Sequence, residues 1–336
     1  DEADIRTFLF MTASRSDSAT YSQYLNDYIL QFPKSSEAYT QRADFYMAHG
    51  NYAAAEEDMK SALEVTEKKD ETYYAFSKLL YELNLKPGYQ VYKDWNLNHS
   101  LTLAEEAYKA NPLPLYILQE GNTLYALKEY EKACEKYLSL RETNMRSAQI
   151  FLYAAQCKRM AKTDTLQILA LQDSAVACFK KPYPKDAAPS LLERSNTLLE
   201  LGRYREAIAD LNEYEHLMSN ELTAYFYYRR EQAEMQCRMF QQAVDDIDRA
   251  IRMEPKEPLY HAERAVVYYR LGEFEEALKS AQKSAELNPK FGDAYRLAGI
   301  CQLRLNQREK GLSNLKKAIE LGDESAQAIL AEETQP

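Results

Sequence analysis

Residues 258–291 read PLYHAERAVVYYRLGEFEEALKSAQKSAELNPKF. In the first half, Tyr260, Ala265, Tyr268 and Leu271 recur at helical spacing, and Gly272 breaks the run. In the second half, Phe274, Ala277, Leu278, Ala281, Ala285 and Leu287 recur the same way, and Asn288-Pro289 ends it. Two amphipathic stretches with a break between them predict a helix–turn–helix hairpin. Ala265 and Ala277 are small enough for close helix approach, and Tyr268 and Phe274 supply bulk. Gly272 can take the left-handed backbone that ends a helix, and Pro289 lacks the N–H needed to continue one.

The rest of the chain varies this unit. Phe240, Phe274 and Arg308 share one position; Ala243, Ala277 and Gly311 share another; Ala250, Ser284 and Ala318 a third. Pro255 and Pro289 close successive units, so the period is about 34 residues. Such a pattern resembles the tetratricopeptide repeat (TPR) family, and the resemblance runs over nearly the whole chain. It implies an all-α, right-handed superhelical solenoid of helical hairpins and a binding scaffold.

The register can be followed in both directions. Residues 2–35 form a degenerate unit with Ile5, Phe8 and Leu9 on a first helix, Ser16 or Asp17 capping a second, and Tyr21 at a position where the family prefers a small residue. Residues 36–69 match through Tyr39, Ala43, Tyr46, Gly50, Tyr52, Ala55 and Ala62. The next unit is interrupted at 85–98 (LKPGYQVYKDWNLN), which carries Trp95, the only tryptophan. Trp95 either anchors this loop on its own helices or reaches a ligand over one rim. The unit from Ser147 is read with an insertion at 162–172, which lengthens the connection or extends the second helix. Pro182, Pro184 and Pro189 make 182–190 a seam that helix cannot cross. The predicted organisation is an N-terminal array over 1–181, this connection, a C-terminal array over 191–323, and a capping helix and tail over 324–336. In the unit at 224–257, Glu231 occupies the small position and Arg238 replaces the turn glycine, so a splayed or register-shifted hairpin is expected there.

Composition narrows the function. The chain has 336 residues, 46% of them hydrophobic, and a net charge of −10, which disfavours nucleic acid and suits cationic or neutral partners. It contains no run of 18 apolar residues that would insert in a membrane. The five cysteines form no CxxC pair and read as buried thiols; Cys157 and Cys178 fall on neighbouring helices of one unit, and whether they pair stays open. The four histidines, His49, His99, His216 and His261, are scattered, and no phosphate loop, metal motif or nucleophile elbow is present. No enzyme, cofactor or metal is therefore expected. Carboxylate runs such as Glu56, Glu57 and Asp58 read as solvated helix face. The chain opens DEADIRTFLF, consistent with a trimmed tag or a removed signal peptide, and tyrosine-rich chains of this kind resemble bacterial TPR proteins exported to the cell envelope. The expected location is periplasm or envelope, with cytoplasm as the alternative.

In the TPR family the first helix of each unit lines the concave side. Carried over position by position, the resemblance implies a groove of Tyr74, Lys78 and Tyr81; Leu118, Asn122 and Tyr125; Phe151, Lys158 and Arg159; Leu192, Asn196 and Leu199. It continues with Tyr228, Gln232 and Met235; Val266, Tyr269 and Arg270; Arg296, Ile300 and Arg304. Tyrosine offers apolar area and a polar tip, and an amide can hydrogen-bond an extended peptide. The same tyrosines can instead pack on the neighbouring helix. The family's two-carboxylate clamp needs a basic partner beside the groove asparagine, but Leu118 and Leu192 stand there, so chaperone-tail binding is not expected. The expected role is a scaffold for a peptide or protein segment; the alternative is an assembly subunit that self-associates through convex faces or array ends.

Overall fold

The computed structural model describes Ile5 and residues 18–145, 147–178, 187–218 and 221–334. Phe8, Leu9, Ser16 and Asp17 of the expected first unit lie outside the described residues, as do Pro182 and Pro184. Among the described residues there are 18 α-helices and no strand. None of those helices is long and apolar enough to cross a membrane. The fold is all-α, a solenoid of helical hairpins.

The chain divides into two compact units, Asp1–Cys178 and Phe179–Pro336. In the first, α1 (Ser18–Gln31) precedes four hairpins: α2 (Ser36–Ala48) with α3 (Tyr52–Val65), α4 (Lys69–Leu85) with α5 (Leu97–Ala110), α6 (Pro114–Ala126) with α7 (Tyr130–Ser139), and α8 (Ala148–Met160) with α9 (Thr165–Cys178). In the second, the hairpins are α10 (Ala188–Glu200) with α11 (Tyr204–Met218), α12 (Ala224–Gln236) with α13 (Phe240–Met253), α14 (Pro258–Leu271) with α15 (Phe274–Leu287), and α16 (Gly292–Arg304) with α17 (Arg308–Glu320). They are followed by α18 (Ser325–Thr334).

One backbone position sets every tight hairpin. Gly50, Gly202 and Gly272 have φ of 75°, 70° and 83°, and the equivalent Lys128, Lys162, Arg238 and Asn306 have φ of 64°, 56°, 59° and 58°. The expected distortion at Arg238 is therefore absent. Its N–H reaches Met235 O at 3.1 Å and the Met239 N–H reaches Glu234 O at 2.8 Å, matching Gly272 to Tyr269 and Glu273 to Tyr268 at 3.1 and 2.9 Å. Packing of the two helices fixes the turn, and a long side chain pointing into solvent tolerates the left-handed backbone at modest cost.

The same geometry corrects two boundaries. Residues 162–172 are no insertion: Lys162 is the turn residue and Thr165 starts α9, so this hairpin has the ordinary length. The segment 182–190 is not connection to its end, because α10 begins at Ala188 and holds Pro189 in its first turn, where the missing N–H has no helical partner to lose. Of the interruption at 85–98, residues 86–96 are genuine coil, and Asn96 caps α5 by accepting from the His99 N–H at 3.1 Å. Trp95 is 1% exposed and packs on Phe76 and Tyr92, so it anchors the loop rather than meeting a ligand over the rim.

Helix contact is governed by the small positions. Ala43, Ser77, Ser195 and Ala265 are 0% exposed, and Gly121 and Gly299 hold the same place. Ser77 and Ser100 tie α4 to α5 reciprocally, each hydroxyl donating to the other's carbonyl at 2.7 Å. The cysteines are all free thiols, Cys157 and Cys178 included.

Candidate binding surface

The first-helix residues fall into separate settings. In the first unit, the Tyr74 ring lies 5.3 Å from Tyr116, whose hydroxyl donates to Asp70 at 2.9 Å. Asn122 accepts from the Tyr137 hydroxyl at 2.9 Å, and Tyr137 covers Gly121. Tyr125 meets the edge of Tyr130 at 5.4 Å. Burial raises Tyr81 and Tyr125 above the ordinary phenol value, and the neighbouring Tyr153 adds to the effect at Tyr81. Leu118 and Arg159 are half-buried, and Phe151 is buried. A cleft of about 430 Å³ opens between α2 and α4, lined by Thr40, Gln41, Asp44, Thr72, Ala75, Lys78 and Glu82 among others.

In the second unit the structure brings Asn196, Tyr228 and Gln232 together through Arg229. Arg229 donates from Nε to Asn196 Oδ1 at 3.3 Å and from Nη1 to Gln232 Oε1 at 3.0 Å. Gln232 Nε2 donates to the Tyr228 hydroxyl at 2.7 Å. Burial pushes Tyr228 up to about 12, with Glu263 and Glu231 adding. Tyr269 and Arg296 stand apart from this chain of bonds. The Tyr269 hydroxyl accepts from Arg304 at 3.1 Å, and Arg296 is committed to Asp293 and Asp323, both at 2.7 Å.

Beside this network lies a cleft of about 640 Å³ walled by α10, α12 and α14. The groove positions Leu199, Gln232, Met235, Val266 and Arg270 line it, together with Arg229, Glu231, Arg238 and Glu263, which position-by-position mapping leaves out. Glu231 is 1% exposed and its Oε2 has no hydrogen-bond partner. Burial pushes its carboxyl up to about 9, and Glu263, Glu234 and Asp246 reinforce the shift. Burial also raises Glu263, with Asp293 adding. The signal for Glu231 was a carboxylate at a position otherwise held by Ala, Ser or Gly. Among the described residues no cluster of His, Cys, Asp or Glu has metal-binding geometry.

Asp58 also departs from its reading as solvated surface. It is 3% exposed and takes two hydrogen bonds from Arg42, at 2.8 and 2.7 Å, whereas its neighbour Glu56 pairs with Lys60 and Lys93 on the outside.

Repeated hairpins, all but the interrupted α4–α5 of a common length with a left-handed turn residue, and small residues at the crossing define a helical-repeat protein. The tetratricopeptide repeat model matches residues 36–69 and 258–291, and the chain is a tetratricopeptide repeat protein. It is 25% identical over 191 residues to the Hsp70-Hsp90 organizing protein of Triticum aestivum, covering 56% of this chain and 30% of that one. Over 53 residues it is 32% identical to small glutamine-rich tetratricopeptide repeat-containing protein 2 of Mycosarcoma maydis, covering 16% of this chain and 15% of that one. The matches thus span less than a third of either curated relative. Among solved structures, YrrB, described as a TPR protein with an unusual peptide-binding site, aligns with TM-score 0.50 and 20% identity over 59% of this chain and 98% of its own. A tetratricopeptide repeat protein from Parabacteroides merdae aligns with TM-score 0.48 and 15% identity over 80% of this chain and 99% of its own. Proteins of this fold serve as protein–protein interaction scaffolds.

Proposed function

We propose that the chain is a non-enzymatic scaffold that holds a peptide or protein segment against its first-helix faces. The observation that carries this reading is the 640 Å³ cleft beside Asn196, Tyr228, Arg229 and Gln232. It offers apolar walls in Leu199, Met235 and Val266, and amide and guanidinium groups suited to a peptide backbone. YrrB's description as peptide-binding agrees with this use of the fold. The chaperone association in the name of the Triticum aestivum relative does not carry over, since Leu118 and Leu192 stand where a carboxylate clamp needs basic residues.

The test is a capture experiment from the source organism's soluble and envelope fractions, with wild type, Tyr125→Ala and Tyr228→Ala in parallel. A partner held by wild type and lost by a variant whose helicity is intact supports the reading. A partner kept by both variants moves the interface to other faces, and concentration-dependent sedimentation of the chain alone then tests self-assembly.

A further inference from the structure

The large cleft of the second unit has chemically different ends. Along α12, Glu231 and Met235 are spaced i, i+4 and so share a face, and Arg238 follows in the left-handed turn after that helix. Along α14, Glu263, Val266 and Arg270 are spaced i, i+3, i+7. All six line the cleft. Two short turns separate α12 from α14, so the two helices run in the same direction and their acidic ends lie together. Along α14, a rise of about 1.5 Å per residue puts roughly 10 Å between Glu263 and Arg270, with Val266 between them.

Neither end is neutralised from within. Glu231 Oε2 is buried and unpartnered. Arg238 and Arg270 are exposed and form no ion pair among the described residues. Of the arginines before Glu231 on α12, Arg229 is turned toward Asn196 and Gln232, and Arg230 is paired with Asp246 and Glu215. A buried carboxyl without a partner opposes folding, and it sits where every other hairpin places Ala, Ser or Gly. Such departures from local consistency are expected at functional or strained sites.

We propose that this cleft is a bipolar slot for an extended peptide, seating a basic side chain between Glu231 and Glu263 and a carboxylate between Arg238 and Arg270. The inference rests on the groove-binding reading above and specifies its ligand. An extended chain advances about 3.3–3.6 Å per residue, so the matching segment carries its two charges three residues apart. The apolar residues between them meet Met235 and Val266. Because burial holds the Glu231 carboxyl up to about 9, an arriving ammonium group displaces a proton at neutral pH.

The probes are acetyl-Ala-Lys-Leu-Leu-Glu-Ala-amide and its order-reversed twin acetyl-Ala-Glu-Leu-Leu-Lys-Ala-amide, each also made with norleucine for lysine or glutamine for glutamate. Titration calorimetry at pH 7.5 in two buffers of different ionisation enthalpy reads both affinity and proton release. One charged peptide is expected to bind the full chain at least tenfold more tightly than its norleucine form and to release protons. Glu231→Gln should abolish both differences, and Arg270→Ala the preference for glutamate over glutamine. The isosteric Glu231→Gln replaces a protonated buried carboxyl with an amide, and Arg270 is exposed, so the second variant decides if the first fails to fold. Equal binding of charged and norleucine peptides, weakened by Tyr228→Ala, overturns the bipolar slot and leaves the groove reading standing. Absence of binding by any probe also overturns the slot, and the capture experiment then judges the groove on its own.

Discussion

Arg230 holds Asp246 through two parallel hydrogen bonds, from Nε at 2.5 Å and from Nη2 at 2.9 Å, with both side chains buried. The pair joins the two helices of one hairpin, and the same sixteen-residue spacing recurs in Arg42–Asp58 and Arg194–Asp210. Arg230 also donates to Glu215 and Asn212 of the preceding hairpin, at 2.6 and 2.9 Å. Burial alone would lower its pKa, but these carboxylates outweigh burial and raise it. Removing one partner strands a buried charge, which costs about 3–5 kcal/mol. Asp246→Ala should therefore destabilise the second unit by that order in urea denaturation, whereas Arg230→Met with Asp246→Leu should recover much of the loss. A double variant as weak as the single one would show that the ion pair itself, not its unpaired remnant, supplies the stability.

Gly299 and Gly311 let α16 and α17 touch backbone to backbone. A Cβ on Gly299 would lie 3.0 Å from the Gly311 carbonyl oxygen, and one on Gly311 would lie 2.9 Å from that of Gly299. Backbone cannot rotate away as a side chain can. Gly299→Leu should cost about 1–3 kcal/mol or more through overpacking. Gly50 has open space around it but φ of 75°, so Gly50→Ala should cost only about 1 kcal/mol, through backbone strain. Denaturation midpoints that rank these two the other way would refute the close-approach account.

The buried carboxyls of α12 make stability depend on pH in a defined direction. Burial, with Asp246 adding, pushes Glu234 up to about 8, as burial pushes Glu231 up to about 9. Glu263 on α14 and Asp246 on α13 face Glu231 with like charge. A carboxyl whose folded pKa lies above its unfolded value binds more protons in the native state between the two. Stability is therefore full below about 4.5 and falls as pH rises toward 9. Wild type should lose stability between pH 5.5 and 8.5 through these groups, by up to about 1.4 kcal/mol per pH unit for each, and Glu231→Gln should lose less and be the more stable protein at pH 8.5. Thermal melts of both proteins at the two pH values check this, and parallel losses would refute it.

The hairpins were legible because their determinants are local: a glycine at the turn, small residues at the crossing and proline at the exit. What was misread depended on residues that break a local rule under tertiary control. Arg238 and Lys162 take the left-handed turn because two packed helices leave no other path. Glu231 was legible only as a disturbance, since its burial depends on a helix more than thirty residues away in sequence. The pairing of Arg42 with Asp58 is present in the sequence as a recurrent spacing, which the reading of Glu56, Glu57 and Asp58 as one solvated run does not capture. Of the expected groove residues, Asn196, Tyr228 and Gln232 meet through Arg229, whereas Arg296 is committed to Asp293 and Asp323. Periodicity assigns a face to a residue; only the neighbouring helix decides its partner.

Trp95 offers the cleanest test of the interrupted hairpin. It is 1% exposed, with Phe76 and Tyr92 each at 5.5 Å and Tyr52 at 6.3 Å. Its carbonyl accepts from Asn84 Nδ2 at 2.9 Å, and Asn84 also donates to Leu80 O at 2.8 Å, so the coil is pinned to the end of α4. Trp95→Ala should cost about 3–5 kcal/mol, the order expected for a buried aromatic removed from a packed core. Because it is the only tryptophan, fluorescence excited selectively at tryptophan, away from the 27 tyrosines, reports this site alone. Emission should be blue-shifted and shielded from iodide, then shift red and become quenchable as α4 and α5 unfold. Asn84→Ala should raise iodide access before it lowers helicity, since it frees the coil while leaving the helices paired. Strong iodide quenching of the native wild type would mean the loop stands open, and would restore Trp95 as a candidate ligand contact.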